Sequence, residues 1–156
     1  MKINIGCGKD VRDGYTNVDF RRTDPSVVLA DITQGLPFED ECADEVLVLD
    51  FLEHFPTAIL KHVVLPEILR LMRPGAVMVA RMPDLRRMLA DYKAGRTDDH
   101  ETARRLHGGQ DYHGNTHFWS YTDKTIGPIL LEAGFVNFER TGSINWNMDL
   151  RAEKPR

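Results

Sequence analysis

Apolar residues recur along this chain in short runs that end on an acidic residue or a glycine, the punctuation of strands rather than of long helices. Ile3-Asn4-Ile5 runs directly into Gly6-Cys7-Gly8, a short strand followed by a Gly-x-Gly turn. Glycines at that spacing let the backbone turn sharply and let a ligand approach main-chain atoms that a Cβ would cover, although the same pair also occurs in ordinary turns. Tyr15 to Asp19 is the next strand, set off by the turn pair Asp13-Gly14. Only about ten polar residues separate the two strands, fewer than a parallel pair with a crossover helix needs. Val27 to Ala30 is a third run, closed by Asp31, and Asp44 to Asp50 a fourth. In the fourth the alternation gives way to continuous β-branched and leucine residues, which predicts a central strand covered on both faces.

A helical region follows, in which Leu65, Ile68, Leu69 and Met72 fall on one face and Arg73-Pro74-Gly75 ends the helix. Pro66 starts its second piece. Ala76 to Ala80 is again a buried strand, so strand, helix and strand succeed one another as in a right-handed parallel crossover. Residues 83–121 differ in character: a modest amphipathic helix on Leu85, Met88, Leu89 and Tyr92, a charged stretch to Arg105, then a polar segment with His107, His113 and His117 among glycines and aromatics. Such a segment is costly to bury, which predicts a pocket rim or lid. Thr122 or Asp123 caps a last helix, bent at Pro128 and stopped by Gly134. Phe135–Glu139 and Trp146–Glu153 then predict an antiparallel hairpin with its turn at Gly142-Ser143. The expected fold class is α/β: one Rossmann-like, doubly wound, mostly parallel sheet over residues 1–156, finished by a C-terminal antiparallel hairpin.

Composition narrows the classes. A length of 156 residues with 42% hydrophobic and 28% charged residues suits one soluble domain. A formal net charge of −4 gives no general attraction to nucleic acid or anionic membrane. Cys7 and Cys42 form no zinc-type spacing and predict free thiols in a cytoplasmic protein. Met1 to Gly6 enter the first strand without the features of a leader, and no apolar run is long enough to span a bilayer, so no membrane insertion is expected.

Several residues and motifs together carry a resemblance. They are Asn4-Ile5-Gly6-Cys7-Gly8, the acid ending strand two, Asp31-Ile32, Leu52-Glu53-His54, Leu71-Met72-Arg73-Pro74-Gly75 and Glu132-Ala133-Gly134-Phe135, each between the appropriate elements. In this order the chain resembles the class I S-adenosylmethionine-dependent methyltransferases, and more narrowly the small, minimal members associated with sugar or polysaccharide modification. The resemblance implies S-adenosyl-L-methionine as cofactor, with the Gly6-Cys7-Gly8 turn under its methionine part. Asp19 would accept from the ribose hydroxyls and Asp31 from the adenine amino group, with Ile32 against the ring and Asp50 near the methyl. Acids at strand ends also serve as solvated groups or caps, so the implication rests on their succession. Two departures are plain: Asn4 stands where relatives carry an acid, and Asp10 where they carry a third glycine. A dinucleotide is disfavoured, because G-x-G-x-x-G fails at Val11.

Methyl transfer to oxygen needs a proton acceptor, and His107, His113 and His117 are candidates, with Asp111 placed to orient one of them. Tyr112, Trp119 and Tyr121 are candidate stacking residues, and Arg81, Arg86 and Arg87 candidate anion holders. The expected partner is a small-molecule acceptor, and the truncated sheet edge is a place that a second subunit of a homodimer could cover. Two alternatives stay open: a non-catalytic S-adenosylmethionine-binding protein, and a metal-dependent hydrolase using His113-x-x-x-His117, which Gly114 disfavours as a helix. No resident metal is expected.

Overall fold

Ile3 and Ile5 of β1 (Lys2–Ile5) are buried on one side of a sheet, while Asn4 points to the other. The same two-residue alternation runs through β2 (Thr16–Asp19), β4 (Ala43–Leu49), β5 (Met72–Pro83) and β7 (Asn147–Glu153). One face therefore collects Val18, Val46, Val48, Met78, Ala80, Leu150 and Ala152 into a core of 26 buried residues. With β3 (Val28–Leu29) and β6 (Val136–Ile144) the sheet has seven strands in the order β3-β2-β1-β4-β5-β7-β6. In this computed structural model, which describes residues 1–156, all pairs from β3 to β5 are parallel and β7 runs antiparallel between β5 and β6. Strand order reverses beside β1, which opens a crevice at the carboxyl ends of the strands.

The helices that cover the sheet lie on the core face. The first is a continuous helical run: α1 (Thr57–Ile59), a π-helical turn at Leu60–Val64, and α2 (Leu65–Leu71). Pro66 lacks an N–H and its ring crowds the carbonyl four residues back, so the widened turn just before it lets the helix continue instead of restarting. Met72, expected on the helix, instead opens β5, because Pro74 disfavours helical geometry at the residue before it. The second cover is α5 (Asp123–Ala133), held by a capping box between Thr122 and Thr125 and stopped by Gly134 in the left-handed region. Two further helices, α3 (Leu85–Lys93) and α4 (Asp99–His107), lead into the loop that ends at Tyr121. No helix is long and apolar enough to cross a membrane.

No helix covers the other face, where Lys2, Glu45, Val77, Val79, Arg81 and Arg151 are half-buried or exposed. Its charges are paired across the surface, Lys2 with Glu45 at 3.4 Å and Arg151 with Glu153 at 2.7 Å. β1 and β2 are parallel although no helix joins them, and the reason is the loop between them. Asn4 Nδ2 donates to the Asp10 carbonyl at 2.8 Å and to Asn17 Oδ1 at 3.0 Å. Asn17 in turn receives the Arg12 amide and donates to the Arg12 carbonyl, both at 3.0 Å. A carboxylate at position 4 has no donor for the Asp10 carbonyl, so the amide in place of the acid goes with the loop in place of the helix.

The C-terminal hairpin turns at Asn145-Trp146, not at Gly142-Ser143. Asn145 adopts φ +56°, which asparagine tolerates, whereas Gly142 lies inside β6 at a register shift.

Candidate active site

The carboxyl ends of β1, β2 and β4 and the 3₁₀ turn Ile32–Gln34 line a cleft. Gly6 and Gly8 lie on its floor, both at positive φ. A Cβ on Gly6 would lie 2.1 Å from the Phe51 ring, so only glycine lets β1 turn beneath that ring. At Gly8 a Cβ would meet no protein atom within 4 Å, which leaves that stretch of backbone open to a ligand. The Asp19 carboxylate is buried, taking the Gly8 amide on one oxygen and the Arg21 amide on the other, both at 2.8 Å. It thereby locks the glycine turn against the end of β2, and each oxygen keeps a lone pair for a further donor. Asp31 caps the 3₁₀ turn through one oxygen, which accepts from the Thr33 amide at 2.9 Å and hydroxyl at 2.8 Å, and its other oxygen is uncommitted. Ile32, Val18, Leu36 and Phe51 supply an apolar wall. Two free-standing acids, an apolar wall and an uncovered glycine turn suit a ligand with a ribose, a flat heterocycle and a cationic amino-acid end.

The mouth of this cleft is closed from the loop after α4. The Arg21 guanidinium lies 3.7 Å over the Tyr112 ring, and Phe20 meets His113 edge to face at 6.2 Å. A Cβ on Gly114 would come within 2.7 Å of Phe20, so that glycine allows the close approach.

A second cavity adjoins the first at Asp50. Its lining comes from five separated places: Asp50 and Glu53 after β4, Pro83 at the end of β5, Arg104, Arg105, Gly108 and Gly109 around the end of α4, Asn115 and His117 in the loop, and Trp146-Asn147 at the hairpin turn. Asp50, at φ +52°, is gripped by Arg81 at 2.5 and 3.0 Å and accepts from Asn147 Nδ2 at 3.0 Å. That leaves Asn147 Oδ1 buried without a partner. Glu53 is 2% exposed and its Oε2 also lacks a partner; burial pushes its carboxyl up to about 8. His54 and His117 face each other with ring centroids 4.9 Å apart, and burial holds both below the ordinary histidine range, hence neutral. The loop is anchored here by the Phe118 amide, which donates to the Glu53 carbonyl at 2.9 Å.

Of the residues the sequence singles out, Gly6, Gly8, Asp19, Asp31, Ile32, Asp50 and His113 line the first cleft and His117 the second. Others lie elsewhere. Asn4 turns its side chain to the opposite face of the sheet, and the buried Cys7 thiol does not line the cleft. Asp111 orients no histidine, because its carboxylate is taken by Asn115 Nδ2 at 2.5 Å. His113 and His117 do not converge: one faces Phe20, the other His54. Tyr121 is core and Trp119 stands 55% exposed, stacked on nothing. Arg81, Arg86 and Arg87 are paired with Asp50, Asp123 and Asp91. The sequence names Glu53 and His54 only as part of a motif and gives Arg21, Phe51 and Asn147 no role. The adjacency of an acid and a histidine directly after a central strand was the signal for the first two.

Comparison with known proteins agrees with this geometry. Residues 4–80 match the family model described as a methyltransferase domain. No curated protein matches the sequence. Among solved structures, an S-adenosylmethionine-dependent methyltransferase from Methanosarcina mazei is similar with a TM-score of 0.66 at 18% identity, over 99% of this chain and 92% of that one. Another from Archaeoglobus fulgidus gives 0.65 at 16% identity, over 98% and 85%. The 1,6-didemethyltoxoflavin-N1-methyltransferase of Burkholderia thailandensis, solved with 1,6-didemethyltoxoflavin and S-adenosylhomocysteine bound, gives 0.64 at 16% identity, over 99% and 71%. Residues 4–80 thus fall within the methyltransferase-domain family, and the whole chain has the seven-strand fold of the S-adenosylmethionine-dependent methyltransferases, with a cleft suited to their cofactor.

Proposed function

We propose that the chain methylates an oxygen of a small polyhydroxylated acceptor, a sugar or polysaccharide precursor, held in the second cavity. The observation that carries this reading is that the two cavities meet at Asp50, so that an acceptor in one faces a cofactor in the other. The polarity of the second cavity supports the class of acceptor: only one of its eleven lining residues is hydrophobic, which favours hydroxyl-rich over apolar compounds. The unpartnered Asn147 Oδ1 suits a hydroxyl donor, which would relieve its desolvation.

The cofactor supplies an electrophilic methyl group on a sulfonium. In the first cleft, Asp19 and Asp31 would accept from its ribose and adenine, with Ile32 beside the ring and the Gly6 and Gly8 backbone toward the methionine end. Arg81 and Asn147 fix Asp50 at the junction, where it bounds both sites. The segment 83–121 acts as the lid, with Tyr112 and His113 over the cleft and His117 in the acceptor cavity. Displacement at methyl is in line, so holding acceptor oxygen and methyl in contact accounts for much of the rate. The acceptor hydroxyl loses its proton beside the Glu53–His117 cluster. Free Cys7 and Cys42 fit a cytoplasmic setting.

Calorimetry with S-adenosylhomocysteine, followed by turnover of methyl-labelled cofactor across a panel of hydroxylated and apolar acceptors, tests the reading. Binding with label transferred to sugars or related polyols is the expected result. Binding with transfer only to apolar acceptors, or to none, overturns it.

A further inference from the structure

Glu53, His54 and His117 form a tighter constellation than proton removal requires. One ligand atom from each, a carboxylate oxygen and two ring nitrogens, lies within 4.8 Å of the other two. We propose that these three side chains hold a divalent transition-metal ion, of the zinc type, with an open coordination position toward the acceptor cavity.

Hydrogen bonding sets the state of each ligand. His54 Nδ1 lies 3.1 Å from the Thr116 carbonyl, and His117 Nδ1 lies 3.0 Å from the Arg105 carbonyl. A carbonyl only accepts, so each Nδ1 carries the proton and each Nε2 keeps a lone pair. A backbone carbonyl on the far nitrogen is the usual support of a metal-bound imidazole, fixing both its tautomer and its ring. Glu53 adds a buried carboxylate oxygen with no hydrogen-bond partner, an arrangement that apolar packing does not explain. A dication satisfies all three at once, allowing Glu53 to ionise and both Nε2 atoms to donate.

The donor set limits the ion. Two imidazoles and one carboxylate form the three-ligand set of open zinc sites, and nitrogen ligands favour zinc, cobalt or nickel over magnesium or calcium. At metal–ligand distances of about 2.1 Å, tetrahedral ligands stand roughly 3.4 Å apart, so the side chains close in slightly on binding. Neighbouring charge does not forbid the ion: of the two cations lining this cavity, partly buried Arg105 is committed to Glu101 at 2.8 Å and to Asp91 at 3.8 Å, Arg104 to Glu101 at 2.8 Å, and Asp50 is held by Arg81. His54 also lines the cofactor cleft and His117 the acceptor cavity, so the ion would sit in the wall between them. Its role rests on the acceptor reading above. A hydroxyl at the open position loses its proton to solvent more readily; its oxygen then forms the C–O bond as the C–S bond breaks, releasing S-adenosylhomocysteine.

Cobalt(II) added to chelator-treated protein tests the site without any acceptor. The expected result is a visible absorption band of low-coordinate cobalt that saturates at one equivalent and is abolished by added zinc. His117→Ala and Glu53→Gln should each weaken cobalt binding at least tenfold, while exposed His100→Ala leaves the band intact. S-adenosylhomocysteine affinity, measured in parallel, reports that each variant is folded. Absence of a saturable band in the wild type overturns the proposal, whatever the variants do; so does a band that persists in both variants with cofactor affinity intact. Stoichiometric cobalt binding without methylation of any polyol supports the site and sinks the acceptor reading. Polyol methylation undiminished after metal removal keeps that reading and overturns the role given to the metal.

Discussion

The two cavities are built in opposite ways. The cofactor cleft takes its floor and acids from strand ends, Gly6 and Gly8 after β1, Asp19 after β2, Asp31 after β3 and Asp50 after β4, places where the sheet itself brings them together. The second cavity shares only Asp50 and Pro83 with that frame: its other residues come from a turn, a helix end, a loop and a hairpin, and they meet because the segment after β5 folds back. Nine of nineteen residues lining the cleft are hydrophobic against one of eleven in the cavity. The cleft therefore gains from burying a flat ligand, whereas the cavity must satisfy polar groups one at a time. On the proposed reading, binding the cofactor and choosing the acceptor are divided between the sheet and the segment after β5, and each is open to separate attack.

The largest expected separation is at His117. His117→Ala removes the imidazole that lines only the acceptor cavity, and turnover should fall by about a hundredfold or more, the usual scale for a proton-transfer group. S-adenosylhomocysteine affinity should be unchanged. A parallel loss of both, in steady-state kinetics and calorimetry, would show that the cavities are a single unit. Asp19→Ala is the reverse probe. Its carboxylate holds the Gly8 and Arg21 amides, so the variant should lose ~1–3 kcal/mol of S-adenosylhomocysteine affinity, as for a charged hydrogen-bond partner. Equal affinity in calorimetry would refute the placement of the ribose.

How much of this was legible in the sequence follows from the same division. Acids and glycines at strand ends can be read from a linear pattern because each is fixed by its neighbours in sequence; hence the α/β class, the parallel sheet and the cleft residues Asp19, Asp31 and Gly6. The hairpin was legible and its turn was not, since a glycine inside β6 serves a register shift and Asn145 takes the turn. The acceptor cavity was largely illegible. Asp111 and His113 have the residue types of a catalytic pair, but Asn115 claims the acid and Phe20 faces the histidine. Those partners are set by how the loop packs, which no spacing along the chain records. His54, sixty-three residues before His117, meets it only through that packing.

Asn4 sharpens the comparison from behind the cleft. Its amide ties the loop that stands in for a crossover helix, through the Asp10 carbonyl and Asn17. Asn4→Ala leaves the Asp10 carbonyl and the buried Asn17 short of a donor and should cost about 1–3 kcal/mol in denaturant unfolding. The acceptor specificity of the variant should not change. Asn4→Asp should be no better than Ala, because the carboxylate brings no donor to the Asp10 carbonyl. Full stability in the aspartate variant would mean that the loop does not depend on the amide.

The smallest effect concerns Cys7, whose position between Gly6 and Gly8 invites the idea of a thiol open to the cofactor. Its side chain is 5% exposed, and burial, reinforced by the nearby Asp19 charge, pushes the thiol up to about 11. Thiolate is the reactive form, and at pH 8 a group titrating at 11 is about one part in a thousand ionised. Cys42 is only partly buried and lies at the start of the run into β4, away from both cavities. Iodoacetamide at pH 8 should therefore label Cys42 first. Cys7 labelling should rise about tenfold for each pH unit toward 11 and become fast only on unfolding. Saturating S-adenosylhomocysteine should leave the slow rate almost unmoved, since the thiol lies outside the cleft. Cys7 labelling as fast as that of Cys42, and blocked by the ligand, would put a reactive side chain in the cleft where the geometry has only backbone.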